Sequence, residues 1–93
     1  MHFVAGSCLI CDDGLLGFRK SNGLIFLLCD ECGSVFLDPS KVVREEAIFP
    51  SFKNGWLIPN TEASIAGEKS EWATKDDVDD MEWLPFLMLE IND

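Results

Sequence analysis

The four cysteines of this chain fall into two pairs of the same spacing, Cys8-Leu9-Ile10-Cys11 and Cys29-Asp30-Glu31-Cys32, with seventeen residues between them. No other feature limits the fold as tightly, because this arrangement matches the C-x2-C-x15-20-C-x2-C spacing of structural zinc sites. Two residues between ligands let one tight turn aim both sulfurs at a single point, and a second turn completes a tetrahedron with metal–sulfur distances near ~2.3 Å. Gly14 and Gly33 lie just after the pairs, where turns that direct amides toward sulfur are expected to need the positive φ that glycine tolerates. Cys8, Cys11, Cys29 and Cys32 are thus the candidate metal ligands, and one structural Zn2+ is the expected cofactor.

Three other uses of these thiols compete with zinc. Disulfides suit a secreted chain, but Met1 to Gly6 has neither a basic leader nor a long apolar stretch, so a cytoplasmic location is expected, where thiols stay reduced. Thioredoxin-like redox chemistry places its Cys-x-x-Cys at a helix start, and neither pair here is followed by a helical pattern. Iron held by four cysteines has the same ligand set and stays open. Four thiolates also close the tetrahedral shell, whereas catalytic zinc keeps a position for water, so the metal is read as a folding element. With 93 residues to build one core, binding energy on the order of 10 kcal/mol substitutes for buried area that a small domain lacks.

Between the cysteine pairs, Leu15 to Lys20 reads as a strand and Ser21-Asn22-Gly23 as a hairpin turn, since Asn-Gly tolerates the left-handed backbone of a two-residue connection. Leu24-Ile25-Phe26-Leu27-Leu28 is apolar without alternation and predicts a strand covered on both faces. Ser34 to Leu37 predicts a third strand, stopped by Asp38-Pro39. Val42-Val43 and Trp56-Leu57-Ile58 are candidate strands, Arg44 to Ala47 a candidate helical turn, and Asn60 to Ser70 a connecting loop. Thr74 is placed to cap a short helix with Asp76 and Asp77 in its first turn. Phe18, Phe26, Phe36, Phe49 and Phe52 are expected in the core.

Charge narrows the function. Seventeen acids against seven bases give a net charge of -10, which repels phosphate backbones and anionic lipid, so neither nucleic acid nor membrane is an expected partner. The longest apolar run, Leu24 to Cys29, has six residues against the ~20 of a membrane-spanning helix. Residues 1–53 hold seven acids and five bases, while residues 54–93 hold ten and two. A metal with four thiolates takes the balance to about -12.

The densest acid run, Asp76, Asp77, Asp79, Asp80 and Glu82, is bracketed by Trp72 and Trp83. One reading is a solvated helix face with the tryptophans packed inside. The other is a partner-binding surface in which these carboxylates steer a basic protein and Trp72 and Trp83 anchor it. The run lacks the glycine and register of a calcium loop. His2, the single histidine, is expected to be an exposed bystander, which leaves no Ser–His or Cys–His pair for catalysis.

From Cys8-Leu9-Ile10-Cys11 through the hairpin to Cys29-Asp30-Glu31-Cys32-Gly33 and Val35-Phe36-Leu37, about a third of the chain resembles the zinc-ribbon family. The resemblance implies a small three-stranded antiparallel sheet with two cysteine knuckles around one zinc, and in many members a place in transcription or translation. Small size, acidity, a ribbon and Trp72-Ala73-Thr74 leading a short helix are together similar to bacterial immunity proteins that neutralise polymorphic or contact-dependent toxins.

The expected architecture is therefore α+β: a small antiparallel zinc-ribbon sheet with a short C-terminal helix. It forms one domain over residues 1–93, with the ribbon in 1–40 and an elaboration carrying the acidic helix in 41–93. The expected function is a non-catalytic protein-binding module, an immunity or inhibitor protein that docks electrostatically on a cationic toxin such as a nuclease. The alternatives are a zinc-ribbon adaptor in transcription or RNA processing, and a small metalloenzyme, which would need an open metal position.

Overall fold

Asn22 and Gly23 take left-handed φ values of 50° and 82° and fold strand β2 (Leu15–Ser21) onto β3 (Leu24–Cys29), the two-residue turn that Asn-Gly favours. The computed structural model describes residues 2–92. Met1 and Asp93, which the sequence reading counts in its N-terminal segment and its acid excess, lie outside the described residues. The register runs from Ser21 opposite Leu24 to Leu16 opposite Cys29. A third strand, β4 (Val35–Phe36), pairs with β3 through Leu27 and Leu28. To this point the sheet has the three antiparallel strands that the sequence predicts.

The sheet then continues where the sequence carries no local signal. The first described residues form β1 (His2–Ser7), antiparallel to β2, with Val4 opposite Gly17 and a register shift before Gly6. Strand β5 (Glu71–Trp72) pairs with the rest of β2, Arg19 opposite Trp72. The last strand, β6 (Leu89–Ile91), returns to pair with β1, His2 opposite Ile91. The path is β4-β3-β2-β1-β6 with β5 beside β2, six strands in all.

Helix α1 (Lys75–Asp80) has only six residues, and the remaining helical pieces among the described residues are isolated 3-10 turns. The α+β expectation is therefore overturned: this is a sheet-rich domain with one short helix. The helix begins as predicted, with Thr74 Oγ accepting from Asp77 N–H at 3.1 Å and the Asp77 carboxylate accepting from Thr74 N–H at 2.9 Å. This capping box satisfies two otherwise orphaned amides. Glu82 at a φ of 61° and Pro85 prevent the helix from growing, because a left-handed residue ends the hydrogen-bond ladder and proline has no N–H to give it.

Both faces of β3 are covered, which explains its unbroken apolar run. On one face Phe3, Leu16, Phe18, Ile25, Leu27 and Phe36 pack with Ala73 and Val78 of the helical segment. On the other, Phe26 and Val35 pack with Ile58 and Ala63. Phe18, Phe26 and Phe36 are fully buried as expected, but Phe49 and Phe52 are 60% and 71% exposed. Their segment pairs with the sheet only through an isolated bridge from Ile48 to Val35 of β4, and Val42-Val43 and Trp56-Leu57-Ile58 form no strand, Leu57 making a second isolated bridge to Ser64. Of these five residues only Ile58 is buried, while Val42 packs at the edge of the core. Arg44–Glu46 forms the predicted helical turn, as a 3-10 turn. No helix among the described residues is long and apolar enough to cross a membrane.

Candidate metal centre

Each cysteine pair sits where a strand ends in a turn. Cys8 follows β1, its N–H donating to the Gly14 carbonyl at 2.9 Å while its own carbonyl accepts from Asp12 N–H at 3.1 Å. Cys29 ends β3, and its N–H donates to the Ser34 carbonyl at 2.9 Å. Asp30 joins the two turns: its N–H donates to the Leu15 carbonyl at 3.2 Å and its carboxylate accepts from Leu15 N–H at 2.9 Å. Pairing of β2 with β3, Leu16 opposite Cys29, thus carries the second turn to the first.

The four sulfurs lie within 4.8 Å of one another. The shortest separations cross between the turns, Cys8 to Cys32 at 3.7 Å and Cys11 to Cys29 at 3.6 Å. A tetrahedron with ~2.3 Å metal–sulfur bonds has edges of about 3.8 Å, whereas a disulfide is about 2.05 Å long. The cluster therefore fits a metal ion, and the four cysteines singled out by their spacing are the residues brought together.

Donors converge on the sulfurs. The N–H groups of Glu31 and Cys32 both point to Cys29 Sγ, at 3.4 Å each, an arrangement that stabilises thiolate charge. Ser34, fully buried, places its hydroxyl 3.4 Å from Cys8 Sγ and 3.2 Å from Cys32 Sγ. Burial pushes the Cys8 thiol up, but the Ser34 hydroxyl and the backbone at Cys11 and Ile10 outweigh it and bring Cys8 down to about 6. Burial also raises Cys29, with the neighbouring Cys32 and Cys8 side chains adding to it, and the amides of Cys32 and Glu31 offset this only in part, leaving it at about 12. In the metal-free state Cys8 thus gives up its proton more readily than Cys29.

Gly33 has the expected positive φ, at 77°. Gly14 does not, and its requirement is one of space: a Cβ there would overlap the Cys29 sulfur. Sequence reasoning missed Ser34, for which the only available signal was a small hydroxyl residue directly after Cys32-Gly33.

The candidate partner residues are dispersed among different roles. Asp76, Asp79, Asp80 and Glu82 are exposed, whereas Asp77 closes the capping box and accepts a 3.2 Å ion pair from Lys20. The Thr74 amide holds the Asp77 carboxyl below its ordinary range, and Lys20 adds to this. Trp83 is half-buried and tilts against Phe18 with ring centroids 6.4 Å apart. Trp72 is 38% exposed and lies in β5, opposite Arg19 of β2. Its ring stacks on His2 at 3.9 Å with 16° between planes, and the Arg19 guanidinium lies 4.4 Å from its centroid. His2 is consequently no bystander but half-buried in β1. Arg19 also donates from Nη2 to Ser70 Oγ at 2.7 Å. Burial pushes its guanidinium below the ordinary value, against the nearby Glu71 charge.

No protein-family model matches this chain, and no solved structure matches it. It is similar to the uncharacterized protein L48 of Acanthamoeba polyphaga mimivirus, 26% identical over 86 residues that cover 86% of this chain and 72% of the viral protein.

Proposed function

We propose that this chain is a zinc-stapled, non-catalytic docking domain with a ribbon-like metal end. The observation that carries the reading is the convergence of four thiols within 4.8 Å, since a tetrathiolate shell leaves a bound ion no position for water or substrate. Zinc is favoured over iron because it gives a closed tetrahedral site without redox chemistry, which suits a structural role. The protein then acts by contact. Its exposed acids Asp76, Asp79, Asp80 and Glu82 stand on one short segment and suit a basic protein surface, as an inhibitor of a cationic enzyme such as a nuclease toxin would require.

The adaptor alternative is less favoured for a specific reason. The two bases on the ribbon hairpin are both engaged inside the molecule, Arg19 against Trp72 and Ser70 and Lys20 against Asp77, so the strand that would contact phosphates has little free positive charge. Two measurements test the reading. Elemental analysis of protein purified without added metal is expected to give about one zinc per chain; paired disulfides and no metal would defeat it. Partners captured from the native host are expected to be basic, and joint reversal of Asp76, Asp79, Asp80 and Glu82 to lysine is expected to weaken binding more at low salt than at high. Unchanged affinity at both salt concentrations would remove the acidic docking surface.

A further inference from the structure

The four sulfurs are not equivalent. Cys8 and Cys29 are buried, Cys11 is half-buried and Cys32 is exposed. Two close contacts cross between the turns: Cys32 lies 3.7 Å from Cys8, and Cys11 lies 3.6 Å from Cys29. The Ser34 hydroxyl is within reach of both Cys8 and Cys32, at 3.4 and 3.2 Å, which holds this particular pair together. Oxidation favours a thiolate that is accessible, and a second thiolate beside it converts the first product into a disulfide.

We infer that Cys32 is a modification site for hydrogen peroxide, that Cys8 resolves it, and that the resulting cross-turn disulfide replaces the metal as the staple of this end of the fold. The inference rests on the tetrathiolate reading above. In the first step the Cys32 sulfur attacks one peroxide oxygen and the O–O bond breaks, giving a sulfenic acid and one hydroxide. The Cys8 thiolate then attacks the Cys32 sulfur, the S–S bond forms and a second hydroxide leaves. The two sulfurs lose two electrons, the peroxide gains them, and the hydroxides take protons from solvent. The metal keeps its charge and departs, because only Cys11 and Cys29 remain to hold it. The bridge joins the turn after β1 to the turn after β3, so the hairpin between them stays closed.

The test uses the metal-loaded wild-type protein, with metal content measured first and hydrogen peroxide then added with and without dimedone. The expected result is loss of about one equivalent of metal together with two free thiols, a Cys8–Cys32 disulfide on peptide mapping, dimedone adducts at Cys32, and a retained sheet signal in circular dichroism. Reductant plus zinc is expected to restore the starting state. Retained metal, dimedone on Cys11, a Cys29–Cys32 or Cys11–Cys29 bridge, or loss of the sheet signal would each overturn the inference while leaving the metal site standing. Absence of metal before peroxide is added would overturn both.

Discussion

At the cysteine end, backbone amides and the Ser34 hydroxyl are turned inward on the sulfurs of Cys8, Cys29 and Cys32, whereas along Trp72–Trp83 the carboxylates of Asp76, Asp79, Asp80 and Glu82 stand exposed on a six-residue helix and the turn after it. Both regions are polar and rich in turns, yet they contribute differently. Polar groups that converge on one point can bind an ion whose affinity becomes folding energy. Polar groups that diverge into water contribute little to stability and are available to a partner. The single acid of the helix that turns inward, Asp77, is also the one tied to the sheet, through Lys20.

This contrast can be broken most forcefully at the metal. Replacing Cys29 with serine, or removing metal with a strong chelator, is expected to abolish cooperative thermal unfolding, since structural zinc supplies on the order of 10 kcal/mol; circular dichroism against temperature is the check. Gly14→Ala is expected to lower metal affinity by about 10- to 100-fold, because the new Cβ displaces a ligand sulfur. Competition with a chromophoric chelator would measure it, and an unchanged affinity would mean that the two turns adjust independently.

Acidity gives a graded version of the same test. A metal binds thiolates, so any thiol still protonated in the metal-free protein must release its proton on binding. Cys29, raised to about 12, releases one throughout the neutral range, while Cys8, lowered to about 6, releases one only below that. Affinity therefore falls as pH falls, by about tenfold per pH unit from the Cys29 proton alone, and more steeply once Cys8 is protonated too. Titrations at several pH values check this: a fall of less than about tenfold per pH unit across the neutral range would mean that Cys29 is not held protonated.

The acidic segment should respond weakly by comparison. Thr74→Ala removes the hydroxyl that accepts from Asp77 N–H and is expected to cost about 1 kcal/mol, seen as a shift of a few degrees in Tm. A single charge reversal at Asp76, Asp79, Asp80 or Glu82 is expected to change stability least, by about 0.5 kcal/mol or less. A large loss there would mean that these carboxylates hold the fold together and are not free for docking.

Legibility in the sequence followed the distance over which each interaction acts. The candidate metal ligands were readable because two residues between cysteines dictate a turn, the β2–β3 hairpin because Asn22-Gly23 sets its own backbone, and the helix start because Thr74 and Asp77 are three residues apart. Phe49 and Phe52 were misassigned for the opposite reason. Their apolar character suggests burial, but whether a phenylalanine is covered depends on a strand or loop elsewhere reaching it, and none does.

The sequence alone determined which sulfurs could hold a metal, where the chain reverses after β2 and where the helix begins, since each is decided by groups a few residues apart. Only the tertiary structure decided that the first and last strands pair as β1 and β6, that Trp72 stacks between β1 and β2 side chains, and that the sheet has six strands in place of three. Those choices depend on backbone hydrogen bonds between segments as far apart as His2 and Ile91, and strand pairing at such separation is selected by the free energy of the whole assembled sheet, not by any local run of residues.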